Sequence, residues 1–201
     1  IFPVFCVSAI ENKGSGRIMG FINDIAPSPA DSPAIRLQNG EEIAYDSDAD
    51  TRIFIYKTLT EPQVGRVSYF KVYSGTVRSG DNLTNLSNSE TERLSQIYET
   101  EGKNRNAVDH LVAGDIGVTL KLKDSHTNDT LGSGSAKIAV EAIHFPNSRI
   151  RTAVVPPSKS DMEKLMKILH VIEEEDPTLH LEQSAELKQT ILHAQGQLHL
   201  D

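Results

Sequence analysis

The sequence predicts a mainly β chain with an α+β segment: an antiparallel β-barrel followed by a truncated βαββ domain. Three observations carry this. Residues 51–147 break into short apolar runs separated by Gly, Asn, Asp and Ser turns, the rhythm of a barrel or sandwich. Within them, residues 64–83 hold a β-rich run, a turn at Ser74 and Gly75, a second run, and a turn at Ser79, Gly80 and Asp81. Glycine tolerates the positive φ such reversals require, and Asp81 can cap the second turn with its own carboxylate. Beyond Pro146 the pattern changes to strand, helix, strand, strand, most of a ferredoxin-like split βαβ unit.

Taken in order, residues 2–7 read as an apolar strand, and Ile18, Phe21, Ile22 and Ile25 recur at helical spacing. That helix must stop before Pro27. Residues 1–26 therefore read as a strand, a loop holding Lys13 and Gly14, and a short helix, and a chain opening mid-strand at Ile1 reads as a piece of a longer protein. Pro27, Pro29 and Pro33 open an acidic, turn-rich linker over residues 27–50. Strands are then expected at 52–57, through the 64–83 stretch, at 93–98, at 112–120 with a second Gly-Asp turn at Gly114 and Asp115, and at 137–145. In the final segment, 148–201, a strand at 150–155 ends at Pro156. Ser158 with Asp161 resembles a capping box. Met162, Leu165, Leu169 and Ile172 share one helical face, and Asp176-Pro177 ends the helix. Residues 178–182 and 187–193 then form a hairpin.

Composition narrows function. Across the 201 residues the net charge is −8, which argues against a polyanion binder held by bulk charge. The charge is uneven: residues 1–48 carry three Lys/Arg against seven Asp/Glu, whereas 49–147 carry eleven against twelve. The middle can therefore still present a basic face. No stretch approaches the roughly 20 apolar residues needed to span a bilayer, and no membrane partner is expected. The single cysteine, Cys6, forbids an internal disulfide and fits a reducing compartment, the cytoplasm. Seven scattered histidines lack metal-ligand spacing, so no metal site is expected, and the carboxylates at 173–176 read as a solvated helix stop. No catalytic constellation and no Gly-x-x-x-x-Gly-Lys-[Ser/Thr] loop occurs. Arg66, Lys71, Arg78, Lys103 and Arg105 are candidates for contact with RNA phosphates, the alternative for each being ordinary solubilising charge.

The ordered segments resemble the elongation factor G family of translational GTPases. Residues 5–14 resemble the family's last guanine-contacting loop and residues 70–81 the signature hairpin of its second-domain barrel. Ala113-Gly114-Asp115 and residues 122–131 resemble further barrel segments. Residues 174–177 and 196–200 resemble the third domain. The family commonly has glycine at Val7 and glutamate at Gln197, and the 33–50 stretch also diverges. The resemblance implies the end of a G domain (1–26), a linker (27–50), barrel domain II (51–147) and part of a ferredoxin-like domain III (148–201). It implies a guanine contact by the loop at Ser8, Ala9 and Ile10, with GTP and Mg²⁺ bound only by the full-length parent and no cofactor by this fragment. It further implies a monomeric, cytoplasmic factor that promotes translocation of tRNA and mRNA. The barrel would dock on ribosomal RNA and small-subunit protein. The parent resembles a GTPase, but this segment holds no catalytic centre. A diverged paralogue, a ribosome-protection or rescue factor, and a free-standing barrel module binding a ligand or protein are the other readings.

Overall fold

The computed structural model describes residues 2–102, 104–156, 158, 161–184 and 189–201. The chain divides into a first unit ending at Pro33 and a second running from Ala34 to Asp201. In the first, α1 (Ser15–Ile25) forms where the helical spacing places it and gives way to extended backbone at Ala26. Residues 2–7 form no strand, contrary to the expectation from their apolar run, and Phe2 and Val4 are largely exposed. A strand needs a hydrogen-bonding neighbour, and among the described residues this run has none. It is tied to α1 by an edge-on contact of Phe5 with Phe21, 5.0 Å between centroids.

The second unit opens with β1 (Ile35–Arg36) and β2 (Glu42–Ile43). The barrel strands follow: β3 (Arg52–Glu61), β4 (Gly65–Ser74), β5 (Thr76–Arg78), β6 (Asn82–Asn85), β7 (Thr91–Arg93) and β8 (Ile97–Glu101). They continue with β9 (Asn104–Val108), β10 (His110–Val112), β11 (Ile116–Leu120) and β12 (Thr130–Gly132). Eight of them form one antiparallel sheet in the order β7-β6-β12-β3-β4-β11-β8-β9, while β5 and β10 pair as a separate ribbon. One core takes Ile53, Ile55, Phe70 and Val72 from the middle of the sheet, Leu83 and Ile97 from towards its two ends, and Val77 and Leu111 from the ribbon. A flat sheet cannot bring its ends to one core. The curl is helped by irregularities between β3 and β4 at Arg52/Ile53 and Ile55/Lys57.

The glycine turns of residues 64–83 are corners, not hairpins: β5 pairs with β10, and neither β4 nor β6 is its partner. At Gly75 the backbone has φ 73°, and an added Cβ would lie 2.6 Å from the Thr51 backbone. The Gly-Asp turns share one design. The Asp81 carboxylate accepts the Arg78 N–H at 2.8 Å, and Asp115 accepts the Val112 N–H at 2.8 Å.

The expected linker and the expected strand at 137–145 are one feature of the fold. Residues 36–38 run beside 138–141, with Gln38 N–H donating to the Ala139 carbonyl at 2.9 Å and Glu141 N–H to Arg36 at 3.0 Å. Ile35, Leu37 and Val140 form a second small core with Phe54 of β3, separate from the main one. The 34–50 part of the expected linker is therefore packed structure, and 137–145 forms a single bridge at Val140 instead of a strand. The strand expected at 93–98 is likewise split between β7 and β8, with Leu94 buried in the core at the break.

The last segment contains β13 (Ile150–Val154), α2 (Met162–Glu175), β14 (His180–Ser184), β15 (Gln189–Ala194) and a final turn, α3 (Gln197–Leu200), with sheet order β13-β15-β14. The Ser158 hydroxyl donates to Asp161 at 2.6 Å ahead of α2. On the predicted α2 face Leu169 is buried, whereas Met162 and Ile172 are over a third exposed.

Gly75→Ala should lower unfolding free energy by about 3 kcal/mol, because positive φ and a backbone clash act together. Gly80→Ala, also at positive φ but with open space beside it, should cost about 1 kcal/mol. Urea titration of both variants measures the difference.

Candidate functional site

In the first unit, Ser8 and Lys13 close a tight loop, Ser8 N–H donating to the Lys13 carbonyl at 3.1 Å and Lys13 N–H returning to Ser8 at 3.0 Å. The Ser8 hydroxyl accepts the Glu11 N–H at 3.4 Å. Gly14, at φ 82°, carries the chain into α1. Ala9 and Ile10 are exposed, and among the described residues their N–H groups have no acceptor. Two adjacent donors on an exposed loop, beside the small side chains of Ser8 and Ala9, can serve a carbonyl on a flat ligand edge.

The five basic candidates separate into different roles. Arg66 is a tie: its Nη1 donates to the Lys123 carbonyl at 2.9 Å and its Nη2 meets Glu174 at 2.6 Å. Arg105 bonds the Glu61 carboxylate, which holds the guanidinium pKa above its ordinary value, with a smaller contribution from Tyr69. Lys71 lies over the rings of Tyr45 and Tyr73, 5.1 and 5.8 Å from their centroids, a cation–π placement. Lys103 lies outside the described residues. Arg78 is exposed, and among the described residues its guanidinium has no hydrogen-bond or ion-pair partner. It sits opposite His110 in the β5–β10 ribbon. Arg93 is exposed on β7 opposite Asn82, one turn along the chain. Strand pairing thus sets His110 opposite Arg78 and Arg93 opposite Asn82, placements that no local pattern announces.

The carboxylates at 173–176 do not form a solvated stop. The Glu173 carboxylate accepts the Leu181 N–H at 2.8 Å and meets His180 Nδ1 at 3.0 Å. Glu174 meets Arg66 at 2.6 Å and His126 Nε2 at 3.3 Å. Glu175 accepts the Thr60 N–H at 2.6 Å. Asp176 accepts the Thr178 N–H and hydroxyl at 2.8 and 2.6 Å and meets His199 Nε2 at 3.0 Å. His199 Nδ1 accepts the Gln195 N–H at 3.3 Å, so Nε2 is the protonated nitrogen. Four carboxylates at a helix C-terminus oppose its dipole; here cations and N–H donors offset that cost. Four of the seven histidines, at 126, 170, 180 and 199, meet this run, and His193 meets Glu182. Among the described residues no cluster of His, Cys, Asp and Glu could hold a metal ion, and no helix is long and apolar enough to cross a membrane.

The Arg66–Glu174 pair has side chains 21% and 33% exposed, so a double-mutant cycle of Arg66→Ala and Glu174→Ala should give a coupling of about 1 kcal/mol, between surface and buried values. Asp176 titrates below the ordinary carboxylate range: burial opposes this, but the Thr178 and His199 bonds outweigh it. Its folded pKa is thus below its unfolded one, so the stability it contributes is complete above pH of about 4 and is lost as pH falls through the folded value. Thr178→Val should shrink that acid-side loss, as read by thermal melts between neutral and acid pH.

A family model described as Elongation factor G domain 2 matches residues 50–134, and one described as Elongation Factor G, domain III matches residues 145–201. A crystal structure of a protein from Thermus thermophilus superposes with a TM-score of 0.73 and 25% sequence identity over 93% of this chain. The chain spans 26% of that protein's length. Two domain matches in the family's own order, on a barrel followed by an α+β segment, establish that the chain belongs to the elongation factor G family of translation elongation factors.

Proposed function

We propose that this chain is the ribosome-docking portion of a GTP-dependent factor that promotes movement of tRNA and mRNA. The observation that carries the reading is Arg78, an exposed guanidinium without a protein partner among the described residues, opposite His110 in the β5–β10 ribbon, with Arg93 also exposed on the barrel. Two exposed arginines on barrel strands suit phosphate oxygens along an RNA backbone, here small-subunit ribosomal RNA. Arg66 and Arg105 serve instead to hold the tip of the β3–β4 hairpin, and they leave the set of RNA contacts.

Ala9 and Ile10 fit the guanine of GTP through their free N–H groups, and Ser8 shapes the loop that presents them. GTP with Mg²⁺ supplies phosphoryl-transfer chemistry when bound. Its phosphates need a Gly-rich cradle that this sequence does not contain. The α2 joint to the barrel supports a role in passing nucleotide state onward by rigid-body reorientation. Such a factor works in the cytoplasm. Val7 and Gln197, which depart from the family pattern described above, favour a second reading as a ribosome-protection or rescue factor. Translocation assays and drug-arrested ribosome assays on the full-length protein separate the two.

Co-sedimentation of residues 1–201 with small ribosomal subunits tests the docking surface. Arg78→Ala with Arg93→Ala should weaken binding by about tenfold and flatten its salt dependence by about two phosphate contacts. Binding unchanged in the double variant would remove the RNA face from the barrel. The same fragment should turn over no GTP. Turnover that disappears on substituting Ser8 and Ala9 would contradict the assignment of the phosphate cradle to another part of the protein.

A further inference from the structure

Arg52 opens β3 and is 8% exposed, the most buried arginine among the described residues. Its Nε donates to the Ile138 carbonyl at 3.2 Å, and Nη1 reaches the Ser74 hydroxyl at 3.5 Å, the outer limit of a hydrogen bond. Nη2 has no protein partner among the described residues, yet it is not sealed from solvent. The two less buried arginines, Arg66 and Arg105, each hold a glutamate. The most buried one holds no carboxylate.

The nearest acid does not supply the missing charge. One oxygen of the Asp50 carboxylate accepts the Ser135 N–H at 2.7 Å and its hydroxyl at 2.5 Å, and no Asp50–Arg52 ion pair forms within 4.0 Å. A buried guanidinium without an anion carries a large desolvation cost. Burial accordingly draws the Arg52 pKa down, against the attraction of Asp50.

Arg52 lines an open cavity of about 320 Å³ walled by Ile43, Ala44, Ala49 and Ala136, with Asp46 and Asp50 also lining it. The apolar walls suit a short hydrocarbon, and the guanidinium fork suits the two oxygens of a carboxylate. The two aspartates disfavour a dianion such as phosphate. We propose that this cavity is a binding site for a small monocarboxylate, whose anionic head pairs with the Arg52 guanidinium. Two sources present that chemistry: a free short-chain acid, or the glutamate or aspartate side chain of a partner protein.

Titration of the 201-residue chain with sodium butyrate, and separately with a capped acetyl-Gly-Glu-Gly-amide peptide, tests the site by ¹H–¹⁵N NMR. Saturable shifts at the Arg52 Nε–H and the Ser74 and Ser135 amides are expected with one or both ligands. Butyrate the tighter indicates a free acid, and the peptide the tighter indicates a partner side chain. Arg52→Gln should weaken binding by about tenfold or more. Because that variant could disturb the barrel, Ala44→Trp, at an exposed position on the cavity wall, provides a second one that obstructs the cavity while leaving Arg52 in place, and it should also abolish the shifts. No saturable shift with either ligand up to about 50 mM would overturn the proposal. So would equal shifts in Ala44→Trp, or inorganic phosphate binding as tightly as the carboxylates.

Discussion

The carboxylate run at the end of α2 sets how the α+β segment sits on the barrel. Glu174 and Glu175 reach into the barrel through Arg66, His126 and the Thr60 amide, while Glu173 and Asp176 reach back into their own segment. Four negative side chains at a helix C-terminus repel both one another and the dipole. They are tolerable only where donors meet each of them. The cost of leaving any one unpaired makes the docking geometry specific: a sliding or rotated helix would strand a carboxylate against the helix end. Residues 174–177 and 196–200, remote in the chain, also meet here through Asp176 and His199.

The opposite end of that joint is the β3–β4 hairpin, the longest strand pair in the barrel. Its tip is held on two sides, by Arg105 on Glu61 and by Glu174 on Arg66. Two residues with the right charge for RNA are thereby consumed within the protein. Arg78, by contrast, sits on the short β5–β10 ribbon away from the α2 carboxylates, and its charge stays available. Residues alike in sequence terms are divided by what lies across from them. A buried network completes the barrel: the Glu92 carboxylate accepts the Lys123 and Asp124 N–H groups and the Ser125 hydroxyl at 3.1, 2.7 and 2.9 Å, fixing the loop that carries His126 to the joint.

Much of this fold was legible in the chain. The Gly-Asp turns at 80–81 and 114–115, the strand runs between them, and the extent of α2 follow from φ preferences, side-chain capping and periodicity, all of which act within a few residues. The errors share a cause. Residues 2–7 are apolar like a buried strand but pair with no neighbour among the described residues, residues 34–50 resemble an acidic linker but bury Ile35 and Leu37 against Phe54 and Val140, and the Gly75 turn joins strands that belong to different sheets. In each case the deciding partner lies far away in sequence.

The candidate site divides along the same line. The sequence by itself determined the family pattern, the turn positions, the exposed loop at Ser8 and the set of basic residues that could meet RNA. Only tertiary structure decided which of them remain free, because an ion pair forms between groups that strand pairing brings within a few ångströms, whatever their separation along the chain. It also decided that the acidic run is a joint and that Arg52 is buried without a carboxylate. Local backbone preferences are written residue by residue; the compensation of charge is settled only when the whole chain has folded around it.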